Sequence, residues 1–320
     1  MTNFLRGLVA LSILLAPAQM LAQARYTPAK TPWGHPDISG DYTNKDEANT
    51  PLERPDEFKG RDPRSFTQAE LDELIKKRQT QAAAIAGGIG GAETGAGPTH
   101  WYEHLRGTGN RPWLITDPAD GKLPPMTPQA LKHEAAVAAL NDARNGEGRA
   151  DSWLDRSTYD RCITRGLPGS MMPAIYGNAY DITQAPGVVA IRYEMVHETR
   201  IIRLDGSPRP GQRSHMGEAR GRWEGNVLVV ETTNFDPRTA YRNGSSTMKL
   251  TERFVPTAPG VIEWSMTVDD PETWVQPWTF AMRLTADPDQ PLFEYACHEG
   301  NYAMRNILSA ARAEEARAGK

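Results

Sequence analysis

The chain has 320 residues, with 36 Lys and Arg against 40 Asp and Glu, a formal net charge of −4 and 39% hydrophobic residues. That balance excludes the basic excess on which nucleic-acid binding or attraction to an anionic membrane surface rests. The length can bury one large core or two modest ones, and 25 prolines point to extended coverings around a single main core.

At the N-terminus Arg6 precedes the apolar run "GLVALSILLAPAQMLA", and Ala22 and Ala24 follow in "LAQA". Basic residue, apolar run and Ala-x-Ala site read as a signal peptide over 1–24, cut after Ala24. Pro17 and Gln19 interrupt a run already short for about 30 Å of hydrocarbon. The expectation is an exported chain, periplasmic or secreted, with no membrane contact after cleavage. An oxidising compartment favours joining the two cysteines, Cys162 and Cys297, as a disulfide.

Residues 25–175 read as a Pro-rich arm and helices packed on a barrel made by the later strands. "TPAKTPWGHPDISGDYTN" and "TPLERPDEFKG" have no sustained period and are expected to lie extended over the surface. "SFTQAELDELIKKRQTQAAAIA" is a helix, with Ser65 or Thr67 as its cap, acidic residues in its first turn and basic ones later. "GGIGGAETGAGP" is a glycine-rich loop without the Lys-Ser/Thr of a phosphate loop. A short strand, a turn at Asp120-Gly121 and a helix over 128–143 come next, and a second short helix is expected around "SWLDRSTYDRCI".

From residue 176 to 300 the period changes to two. Nine strands are expected: "AYDITQ", "VVAIRYEM", "TRIIRL", "GEARGRW", "NVLVVETTN", "TMKLTERFV", "VIEWSMTVD", "WTFAMRL" and "FEYACHE". Short strands joined by turns indicate an antiparallel up-and-down, lipocalin-like barrel, wrapped by the N-terminal arm and helices. Residues 301–320 close the chain as a C-terminal amphipathic helix. Met248, Leu250, Glu252 and Phe254 share a face, so Glu252 is expected inside the barrel, held by a partner such as an arginine or facing a cavity.

In an up-and-down meander the connections alternate between two ends. "VHE", "EGN" and "TAPG" are tight, whereas "DGSPRPGQRSHM", "FDPRTAYRNGSS" and "DPETWVQP" are long. The long loops should share a rim with the end of the ninth strand. That places "HEGNY" beside His215, Glu218, Arg242, Asp270 and Trp274, where a barrel mouth takes small ligands. Arg213 or Arg242 would hold a carboxylate, His215 or His298 would act as base, and Tyr302 with Glu299 would supply a proton. Trp274 and Trp264 could stack on an aromatic ring. "CHEG" and "HWYEH", with His100 and His104 four apart, raise a metal site, but Gly97, Pro98 and Gly107 bracket the second and no glutamate occupies the metalloprotease position. No metal is expected. A Gly-x-Ser-x-Gly motif for a serine hydrolase is absent.

The strings "HPDISGDYTN", "TPLERP", "LITDPADGKLPPMTPQA", "RCITRGLPGSMMPAIYGNAYDI", "RGRWEGNVLVVETTNF", "LTERF", "TVDDPETWVQPW" and "FEYACHEGNY" together resemble a family of secreted bacterial proteins. Some similar proteins are decarboxylases of carboxylated, lignin-derived phenolic dimers that use no cofactor. The resemblance implies a small aromatic acid substrate of phenylcoumaran type, a stilbene product and no cofactor. In such a reaction a phenolate expels a benzylic oxygen to give a quinone methide, and the β-carboxylate departs as carbon dioxide. "THWYEH" and "RSHMGEA" depart from the commoner pattern by introducing His104 and His215, which implies a shifted substrate. The competing expectation is a lipocalin-like carrier of a small hydrophobic or aromatic ligand. A third is an interaction module whose barrel is filled by its own side chains.

Overall fold

The computed structural model describes residues 26–89, 103, 109, 111–142, 150–236, 238, 244–289 and 292–319. The residues read as a signal peptide, His100, His104, Arg242 and most of the glycine-rich run lie outside them.

Among the described residues ten strands make one sheet: β1 (Gly40–Thr43), β2 (Ile115–Asp117), β3 (Ala179–Ala185), β4 (Val188–Tyr193), β5 (Thr199–Arg203), β6 (Glu218–Glu224), β7 (Val227–Thr233), β8 (Lys249–Ala258), β9 (Val261–Asp269) and β10 (Trp278–Ala286). Nine of them close into a mainly antiparallel barrel in the order β1, β3, β4, β5, β6, β7, β8, β9, β10, with β10 returning to β1 through Tyr42↔Ala286 and Thr43↔Thr285. β2 takes the other part of that β10 edge, at Ile115↔Phe280. The period-two pattern is the cause of this closure. On β9, Ile262, Trp264, Met266 and Val268 point inward while the residues between them are half-buried, and on β10 Trp278, Phe280, Met282 and Leu284 do the same.

The interior is a packed core. Tyr180, Tyr193, Phe254, Trp264, Trp278 and Phe280 are all fully buried and belong to one contiguous cluster. Edge-to-face contact between Trp264 and Phe280, with centroids 5.5 Å apart, fits the packing that aromatic rings prefer. A lumen wide enough for a ligand would leave accessible surface on these rings, and none of them is more than 2% exposed.

Among the described residues three α-helices lie outside the barrel: α1 (Gln68–Ile89), α2 (Pro128–Asp142) and α3 (Ala303–Arg317). Thr67 caps α1, its hydroxyl accepting from Glu70 N at 3.3 Å while Glu70 Oε2 accepts from Thr67 N at 2.8 Å, a reciprocal capping box. Arg78 ties α1 to the segment before β2 by donating to the carbonyls of Arg111 and Pro112.

Four expectations need correction. The arm is not only a covering, because "GDYT" supplies β1 and completes the barrel. "FEYACHE" is no strand: its natural place, the free edge of β10, is already taken by β1 and β2. "SWLDRSTYDRCI" forms one 3-10 turn, Trp153–Asp155, closed by a capping box between Ser152 and Asp155, instead of a helix. Finally, β5 and β6 are parallel, paired at Arg203↔Arg220. "DGSPRPGQRSHM" therefore runs the length of the barrel from one end to the other. Its Arg209 donates to the Glu231 carbonyl, and its Ser207 carbonyl accepts from Arg220 Nε.

Candidate active site at the loop end of the barrel

The parallel pair sorts the connections by end. Tight turns at 186–187, 225–226 and 259–260 share one end; the segments 194–198, 234–236 and 270–277 share the other. "VHE" thereby moves from the tight end to the loop end and brings His197 and Glu198 with it.

The floor beneath this end is a buried ion pair. Arg200 on β5 donates through Nη1 to Glu252 Oε1 at 3.0 Å and through Nη2 to Glu252 Oε2, and Nη2 also reaches Thr232 Oγ1 at 2.8 Å. Trp264 Nε1 donates to Glu252 Oε1 at 3.1 Å. Burial works against the charge on Arg200, but the adjacent Glu252 carboxylate more than offsets it and raises the guanidinium's pKa. Tyr193, fully buried next to the pair, is pushed up by burial above all, so its phenol stays protonated.

Above the floor, one segment gathers the rim. Cys162 and Cys297 are joined, with Cα atoms 5.7 Å apart, and Asn301 Nδ2 donates to the Cys297 carbonyl at 2.9 Å. Two residues on, Thr164 Oγ1 donates to Glu198 Oε2 at 2.5 Å and lies 3.6 Å from Met216 Sδ. The segment 162–164 thus links "HEGNY", the β4–β5 connection and the start of β6. His215 precedes Met216, and nearby Asp236 is held well below the usual carboxylate range by Arg238 above all, with His215 the smallest contributor.

The β4–β5 connection is strained. Val196 and His197 adopt φ of 63° and 45°, left-handed values that are unfavourable for a side-chain-bearing residue and worst for a β-branched one. Such positions cost roughly 1–3 kcal/mol each and persist where the surroundings over-determine them. The surroundings here are tyrosines: His197 Nδ1 is 2.9 Å from the Tyr295 carbonyl, and Tyr159 Oη donates to Met195 Sδ at 3.3 Å. Tyr176 and Tyr295 lie with ring planes 22° apart and hydroxyls 3.5 Å apart. Burial, then the neighbouring tyrosine hydroxyls, raise the Tyr295 pKa. Burial also raises the pKa of Glu198, and it raises that of Glu194 with help from the nearby charge of Glu103.

The residues expected at the site fare differently. His298, Glu299 and Tyr302 are at the loop end but on its outer surface, Tyr302 being 63% exposed. Arg213 is occupied in part, donating to the carbonyls of Phe235 at 3.1 Å and Ser246 at 3.3 Å. Trp274 is 3% exposed and packs edge-on against Trp278, so it presents no face to a ligand. Glu252, 0% exposed, is spent on Arg200, the arginine partner its inward position required. Asp270 accepts from Ser245 and Thr273 and braces two loops. Sequence reading missed Tyr159, Thr164, Tyr176, His197, Glu198 and Tyr295. They are scattered over the chain, and only the disulfide and the parallel pair bring them to one place.

Among the described residues no three His, Cys, Asp or Glu side chains gather as a metal site would require, and no helix is long and apolar enough to cross a membrane. The chain matches no protein-family model, and neither the curated proteins nor the solved structures include a match to it.

Proposed function

We propose that the protein is an exported lyase that decarboxylates a carboxylated phenolic dimer of phenylcoumaran type to a stilbene, working at the loop end of the barrel. The observation that supports this reading best is Glu198, a half-buried carboxyl with raised pKa, clamped by Thr164 on the same node that carries Met216 and therefore His215. The reaction asks a protein for one group to take the phenol proton and another to protonate the leaving oxygen. His215, close enough to Asp236 to act on it electrostatically, suits the first task and Glu198 the second. Glu198 takes over the role expected of Tyr302 with Glu299, which face solvent. The electron sink is the substrate's own ring, so what the chain must add is position and protons. Arg213 is the cation for the carboxylate, the role that the sequence also offers to Arg242.

A carrier would hold its ligand in the lumen, and the filled interior weighs against that reading. The disulfide is in keeping with an oxidising compartment, hence periplasmic or secreted placement. The test is incubation of the purified mature chain with lignin-derived dimers, with and without a carboxylate, in excess chelator, read by mass spectrometry. Loss of carbon dioxide from the carboxylated dimers, abolished in Glu198→Gln and His215→Asn, is the expected result. Unchanged substrates across the panel would overturn it.

A further inference from the structure

We propose that the hydroxyls of Tyr159, Tyr176 and Tyr295 form the site that receives the oxyanion of a small aromatic acid or phenol. This deepens the lyase reading by naming where the ring's charged oxygen is held, and it can fail separately from it.

Three phenols from three distant segments converge here, fixed from behind by the disulfide at Cys297 and by the strained turn at Val196 and His197. The acceptors they have found are poor ones. Tyr159 donates to a thioether at 3.3 Å, and the Tyr176 and Tyr295 oxygens are 3.5 Å apart, the outer limit of a hydrogen bond. A carboxylate or phenolate oxygen accepts far more strongly than a thioether or a phenol. With its pKa raised by burial, Tyr295 keeps its proton and can donate it.

The surroundings match an anionic aromatic ligand. The Arg165 guanidinium lies 5.6 Å from the Tyr159 ring centroid, so a cation flanks the phenols, and Arg161 sits 4.5 Å over the ring of Trp153 on the same segment. The three side chains are open to solvent in part, since Tyr159 is exposed and Tyr176 and Tyr295 are half-buried. Trp153 and Phe293 add exposed aromatic surface on the adjoining segments, which suits a ligand with more than one ring.

The experiment titrates the mature chain with 4-hydroxybenzoate, benzoate and phenol by ligand-observed NMR, comparing wild type with Tyr295→Phe, Tyr176→Phe and Tyr159→Phe. Binding of 4-hydroxybenzoate that weakens about tenfold, the equivalent of one charge-assisted hydrogen bond, in Tyr295→Phe is the expected result. Tyr159 lies at the surface, so Tyr159→Phe gives the same reading should Tyr295→Phe lower the melting temperature. Benzoate binding without phenol binding identifies a carboxylate site, and the reverse identifies a phenolate site. No binding by any probe, or equal affinity in wild type and all three variants, overturns the proposal. Tyrosine-dependent binding with no decarboxylation of any dimer keeps this site and removes the lyase. Decarboxylation undiminished in Tyr295→Phe keeps the lyase and removes this site.

Discussion

Arg200 and Glu252 meet inside the barrel from strands that are not neighbours, β5 and β8, with two strands between them and the Nη1 to Oε1 distance at 3.0 Å. Both are essentially inaccessible to water. Removing one partner leaves the other charged and buried, which costs about 3–5 kcal/mol. Glu252→Gln and Arg200→Met should therefore each lower the denaturation midpoint strongly. The double variant Arg200→Met with Glu252→Leu should recover most of that loss, because apolar pairs of similar volume replace buried ion pairs at little cost. Urea unfolding of all three checks it, and a double variant as unstable as the sum of the singles would contradict it.

The disulfide closes a loop between residues 135 apart in sequence. The chain-entropy model assigns about 5 kcal/mol to a loop of that length, an upper figure. Reductant should lower the melting temperature by several degrees, and the native protein should show no titratable thiol. It should also loosen the rim, since Cys162 is two residues from the Thr164 clamp on Glu198.

Glu194 and Glu198 give pH dependence of one sign and Glu70 of the other. Burial raises the folded-state pKa of the first two, so the native state binds their protons more tightly than the unfolded chain does. Their contribution is present below the ordinary carboxylate range and is lost as pH rises through the folded values. Glu70, held down to about 2 by Arg61 and then by Thr67, contributes above its ordinary range and loses that contribution as pH falls toward 2. Glu194→Gln should thus be at least as stable as wild type at neutral pH, and Glu70→Gln should flatten the acid limb. Thermal melts across pH measure both.

Gly217, two residues after His215, has φ of +66°, and a Cβ there would lie 2.7 Å from Thr232 Cγ2 and 2.8 Å from the Phe235 ring. Gly217→Ala combines a disfavoured backbone with overpacking and should cost about 2 kcal/mol. Because the backbone here sets the approach of His215 to Asp236, turnover should fall further than stability predicts. Calorimetry and kinetics on the same preparation compare the two.

Much of the barrel could be read from alternation. "VIEWSMTVD" and "WTFAMRL" became β9 and β10 with the predicted inward faces, and the inward carboxylate of Glu252 announced that it needed a partner. Alternation is a local property, set by the pleat and one buried face. The cysteines were legible for a similar reason, there being only two of them.

Pairing is not local. That "GDYT" should take the edge of β10, leaving "FEYACHE" without a partner, depends on which of two distant segments wins one row of hydrogen-bonding groups. That β5 and β6 should run parallel depends on where the crossover between Arg203 and Glu218 finds room. Those two decisions put "VHE" at the loop end, leave His298, Glu299 and Tyr302 on the outside and draw Tyr159, Tyr176 and Tyr295 together. Composition and period determined by themselves that this chain makes a barrel with polar loops. Only competition for sheet edges in the folded state decided which of its acids, histidines and phenols would meet.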